Sequence, residues 1–97
     1  MNMQALMQQA QKMQRDITEK KEEINKMEFE GTSELVTVTV NGKKEIVKVI
    51  ISDEISSDDK EVLEDMILIA TNKAMEKVDK EIEAKLGKYS SALNGMI

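Results

Sequence analysis

The chain has 97 residues, a formal charge of -5, and no histidine, cysteine or proline. It therefore lacks the side chains for a thiolate or imidazole zinc site, for histidine acid/base work and for a disulfide. A single domain this short buries only roughly 60 to 65% of the surface its unfolded form exposes, so a lone core is marginal and self-association is expected.

In chain order, apolar residues recur from Met3 at Leu6, Ala10, Met13 and Ile17, Lys20 interrupts the row, and Ile24 and Met27 resume it. This three-four spacing predicts a helix over 1–28. Its apolar seam can pack on the protein's own sheet or form a coiled-coil-like contact with a second helix, which Lys20 would weaken. The first residues lack the basic start and long apolar core of a signal peptide. The longest apolar run, Met66 to Ala70, is too short for a membrane span. A cytoplasmic protein with no membrane partner is expected.

Residues 29–52 read as sheet. Phe29, Gly31, Thr32 and Ser33 break the helical period and open a short first strand. Two alternating strands then flank Asn41-Gly42, a turn signal. A four-residue loop over 41–44 would pair Val40 with Glu45, Val38 with Val47 and Val36 with Val49, collecting one valine-rich face. Thr37, Thr39 and Lys48 then share the other face with Leu35, Ile46 and Ile50. One helix layer cannot cover both sides, so Leu35, Ile46 and Ile50 are the candidate interface of a homodimer.

A second helix is predicted over 57–87, with Ser56 or Ser57 as N-cap and Asp59 in a capping-box position. Leu63, Ile67, Ala70, Ala74, Val78, Ile82 and Leu86 form its apolar stripe, and Gly87 closes it. Residues 88–97 read as a loose polar tail. The fold class is α+β: a helix, a three-stranded antiparallel sheet and a long helix in two layers.

The charge is unevenly spread. Residues 53–65 hold seven acids against one lysine, a net of -6, whereas residues 31–52 hold three lysines against two acids, a net of +1. Asp53, Glu54, Asp58, Asp59 and Glu61 lack the spacing of a calcium loop, and acids in a first helical turn suit the helix dipole. The serines have no activating partner, and no glycine-rich phosphate loop occurs. The expectation is therefore a protein that is not an enzyme and takes no cofactor, metal or small-molecule substrate. The remaining chemistry lies in cations. Lys43, Lys44 and Lys48 sit on or beside the hairpin, and Lys12 and Arg15 share the outward face of the first helix. These five are the candidate DNA-binding residues, from charge placement alone. With Phe29 and Tyr89 the only aromatics, base stacking on single strands is disfavoured and the expected target is duplex phosphate.

Three segments, MQQAQKMQRDI (7–17), VTVTVNGKKEIVKVIIS (36–52) and DDKEVLEDMILIATNKAMEKV (58–78), together resemble the YbaB/EbfC family of bacterial nucleoid-associated proteins. The resemblance implies a three-stranded antiparallel sheet between two helices, a tweezers-like homodimer, and binding of double-stranded DNA on the nucleoid. Asp59 to Asp65, Asn72 and Ala74 match family positions that mark membership; they carry no assigned DNA contact. The helix, hairpin, helix order also resembles prefoldin-type chaperone subunits. A client-gripping chaperone, or an adaptor without DNA affinity of its own, is thus the alternative.

Overall fold

Valine at every second position organises the sheet. In β2 (Val36–Asn41) the side chains of Val36, Val38 and Val40 are completely buried, because a strand sends alternate side chains to one face. Each contributes on the order of 1.5 kcal/mol through apolar burial. The computed structural model describes residues 2–56 and 58–90, and around β2 it arranges α1 (Met3–Asn25), β1 (Glu28–Ser33), β3 (Ile46–Ile51), α2 (Lys60–Leu86) and a terminal 3-10 turn, Gly87–Tyr89. The sheet is antiparallel with order β1-β2-β3. Met66, Ala70, Ala74 and Val78 of α2 pack on Phe29 and the three valines, so the domain is a two-layer α+β fold.

Gly31 permits the close layer contact. A Cβ there would overlap the Ala70 carbonyl oxygen and stand 2.5 Å from the Ala74 nitrogen. These are helix backbone atoms, which cannot rotate aside. Glycine on the strand and alanine on the helix together let α2 settle over β1.

The hairpin register differs from the expected one. Asn41 N donates to the Glu45 carbonyl at 2.9 Å and Lys44 N donates to the Asn41 carbonyl at 3.0 Å. The loop is therefore three residues, 42–44, with Lys44 at φ 63. Asn41 causes this: its Oδ1 accepts from Lys43 N at 2.9 Å and Glu45 N at 3.1 Å, and its Nδ2 donates to Glu45 Oε1 at 2.8 Å. Continued unbroken, this register would set Val38 opposite Lys48. A bulge between Thr39 and Val40 prevents that: Val40 pairs with Ile46, but Thr39 pairs with Lys48, Val38 with Val49 and Val36 with Ile51. The extra residue, Val47, restores the match of apolar faces.

That bulge redistributes the second face. Ile46 is the register partner of Val40, not a neighbour of the threonines. Leu35, in the turn before β2, is half-buried against the α2 core. Of the three, Ile50 alone lies beside a threonine, opposite Thr37. All six residues of β3 are exposed, because α2 packs over β1 and β2.

α1 docks on the far end of α2 rather than on the sheet. Ile17 and Ile24 are buried with Leu86, flanked by Ile82 and Tyr89. Lys20 is accommodated by an aromatic face: its Nζ lies 5.2 Å from the Tyr89 ring centre, and that of Lys88 lies 5.0 Å away. Tyr89 is thus an anchor where a loose tail was expected; residues 91–97 lie outside the described residues. A Cβ at Gly42 would overlap the Ile24 carbonyl oxygen, so the hairpin turn abuts the last turn of α1. Residues 3–15 of α1 are exposed, and the molecule measures 70 × 19 × 17 Å.

α2 begins at Lys60 with Asp59 as N-cap and no side-chain cap bond. Ser56 Oγ instead accepts from Asp58 N at 3.3 Å in the preceding turn, and Ser57 lies outside the described residues. At the other end Gly87 keeps right-handed geometry, φ -57, and the chain runs on into the 3-10 turn.

Candidate nucleic-acid interface

The cations nearest the hairpin are positioned by the Asn41 turn. Lys43 follows the loop glycine with its backbone nitrogen tied to Asn41, and its side chain is exposed. Lys44 takes the left-handed position and swings towards α2, where its ammonium pairs with the Asp79 carboxylate. The two adjacent lysines therefore have different surroundings. Lys43 faces water, and Lys44 has an acidic partner.

Lys48 lies across Thr39 from Glu30, as the paired strands place the three in one row. Thr39 is buried between them at 5% exposure, while Lys48 is open on β3. Lys12 and Arg15 stand on the free half of α1. Arg15 is nine residues from Ile24, where the hairpin abuts α1, a helical rise of about 14 Å. One subunit therefore does not gather all five candidates into one patch: Lys43 and Lys44 share the turn, Lys48 lies along β3, and Lys12 and Arg15 form a separate pair. Among the described residues Lys12, Arg15, Lys43 and Lys48 take part in no ion pair.

The acidic segment leaves β3 after Ile51, at the end of the strand away from the turn. A six-residue strand separates the two by about 17 Å. Among the described residues no group of three or more His, Cys, Asp or Glu is arranged to hold a metal ion, and no helix is long and apolar enough to cross a membrane.

Two clusters were not legible in the sequence. Lys73 and Lys77 of α2 reach back to β1, where Lys73 Nζ donates to the Thr32 carbonyl at 3.2 Å and Lys77 Nζ to the Glu30 carbonyl at 2.6 Å. Their spacing of four on one helix face, beside Ala70 and Ala74, was the available signal. Lys20 and Lys88 bracket Tyr89, and the Lys88 ammonium is held above the ordinary lysine value, first by the adjoining Tyr89 side chain.

Comparison with known proteins places this arrangement. The family model of the YbaB/EbfC DNA-binding family matches residues 1–93. A nucleoid-associated protein of Enterococcus faecalis is 39% identical over 97 residues, covering 97% of this chain and 93% of its own. One of Francisella philomiragia is 47% identical over 92 residues, covering 92% of this chain and 83% of its own. The crystal structure of an uncharacterized protein from Helicobacter pylori superposes with a TM-score of 0.72 over 100% of this chain and 99% of that one, at 21% identity, and so shares the fold. With a family match over nearly its whole length and relatives this similar, the chain belongs to the YbaB/EbfC DNA-binding family.

Proposed function

We propose that the protein is a cytoplasmic nucleoid-associated protein that works as a homodimer and holds double-stranded DNA chiefly through its phosphates, with low sequence selectivity, contributing to nucleoid organisation or gene regulation. The observation that carries this reading is membership of a DNA-binding family over residues 1–93, with relatives named as nucleoid-associated proteins.

The homodimer is supported by β3. Five of its six side chains, Ile46, Val47, Val49, Ile50 and Ile51, are apolar, and each is more than 40% exposed. Val62, Leu68 and Ile69 of α2 are also exposed. An exposed apolar edge strand is a template for pairing, and a second copy satisfies both its backbone and its side chains. Ile46 opens this strand and Ile50 lies near its other end, and Leu35 borders it through the Ser52 N–H bond to its carbonyl.

Phosphate binding is supported by exposed cations at Lys12, Arg15, Lys43 and Lys48, which among the described residues have no ion-pair partner, and by the separation of the acidic segment from Lys43. Low selectivity follows from the side chains available: Arg15 is the one arginine among 14 basic residues, and lysines act as point charges where arginine reads guanine bidentately.

A mobility shift of duplex DNA at near-physiological salt tests the reading. Binding is expected, with competition between unrelated duplexes of equal length differing by less than about a thousandfold, the lower end for specific binders. A protein that leaves duplex unshifted yet suppresses aggregation of an unfolded client would instead be the chaperone-like alternative.

A further inference from the structure

The sheet has two edges that differ. At the outer edge of β1, the carbonyls of Glu30 and Thr32 are occupied by the ammonium groups of Lys77 and Lys73, at 2.6 and 3.2 Å. The geometry is commensurate: four residues of helix advance about 6 Å, and two residues of strand about 6.8 Å, so lysines at i and i+4 meet successive outward carbonyls. Gly31, between those two residues, brings α2 close enough for the reach. The cleft they line, with Thr32, Glu76 and Lys80, encloses about 320 Å³. At β3, among the described residues, no side chain is hydrogen-bonded to the backbone of the strand.

We infer that Lys73 and Lys77 are edge guards that close β1 to strand addition and so limit assembly to one sheet-edge contact per subunit. An incoming strand must bring its N–H groups to the same Glu30 and Thr32 carbonyls, which the two ammonium groups already hold. A subunit with one open edge closes with a second copy about a twofold axis; a subunit with two open edges can add copies at both ends and grow an open chain. The latent β1 edge therefore accepts a strand of another copy of this chain once the lysines are removed. This inference rests on the homodimer reading for the role of β3.

The test is sedimentation across micromolar concentrations for wild type, K73A/K77A and K73R/K77R, with circular dichroism to confirm folding. K73A/K77A is expected to exceed the dimer mass, twice 11.0 kDa, and to grow heavier with concentration. K73R/K77R keeps charge and donors and is expected to match wild type. A folded K73A/K77A with the wild-type mass distribution overturns the edge guard and leaves the homodimer intact. A monomeric wild type whose K73A/K77A variant associates overturns the homodimer and keeps the guard. Should the double substitution abolish folding, the single K77A, which removes the shorter bond, is read in the same way: concentration-dependent mass above wild type supports the guard, and an unchanged mass overturns it.

Discussion

Lys44 of the hairpin turn pairs with Asp79 of α2, while Lys43 beside it is in no ion pair among the described residues. Two lysines adjacent in sequence are thus unequal as phosphate ligands. In a dimer, substituting one phosphate-binding lysine removes two contacts, which flattens the slope of log affinity against log salt by about 1.8. K43A is expected to show that change, and K44A a smaller one. Anisotropy titrations of a duplex at several salt concentrations decide it; equal slopes for the two variants would contradict the distinction. The exposed ion pair itself contributes under about 1 kcal/mol, so K44A is expected to melt close to wild type.

The pair on α1 gives an independent reading. Lys12 and Arg15 are about 14 Å or more along the helix from the hairpin. If DNA lies along that arm, K12A/R15A flattens the salt slope by up to about 3.6, and K43A/K48A leaves it little changed. The reverse outcome puts the duplex against the sheet. Measuring both double variants under one set of salts separates the two surfaces.

Replacing Gly31 by alanine is expected to destabilise the fold by about 1 to 3 kcal/mol, because the new methyl meets helix backbone at Ala70 and Ala74 rather than a movable side chain. Urea denaturation should show a lower midpoint with an unchanged m-value. An unaltered midpoint would mean that α2 shifts freely over β1.

Ile50→Glu puts a carboxylate on the exposed β3 surface, where Ile50 is 49% exposed. A folded monomer costs little to charge there, whereas an interface that buries it costs several kcal/mol. Sedimentation equilibrium is expected to move from twice 11.0 kDa to 11.0 kDa while the circular dichroism spectrum is retained. A variant that stays dimeric would place the contact elsewhere.

Tyr89→Ala is expected to loosen α1, since the ring packs beside Ile17, Ile24 and Leu86 and holds Lys20 over its face. Hydrogen exchange should accelerate in the α1 amides before those of β2. Lys88 titrates above the usual lysine value, so its contact with Tyr89 is present below that value and lost only as pH rises through the higher one. The stability difference between wild type and Tyr89→Ala is therefore expected to be the same at pH 6 and pH 9.

The sequence by itself determined what repeats locally. Three-four spacing of apolar residues specifies a helix and alternation of valines specifies a strand, because side-chain direction follows from backbone period alone. The buried face of β2 and the stripe through Ala70, Ala74 and Val78 were legible for that reason, as was the family. What only the tertiary structure decided depends on distances between segments far apart in the chain. The hairpin register turned on three hydrogen bonds of the Asn41 side chain and on a bulge at Val47, neither of which is written in a periodic pattern. α1 docks on the end of α2, where Leu86 buries Ile17 and Ile24 and Tyr89, in a stretch that reads as tail, flanks them and takes Lys20 over its face. Lys73 and Lys77 find backbone carbonyls 41 and 47 residues away, and Lys44 finds Asp79 across the turn. A lysine's charge is written in the sequence. Whether that charge meets an acid, a carbonyl or open water is settled when the layers pack.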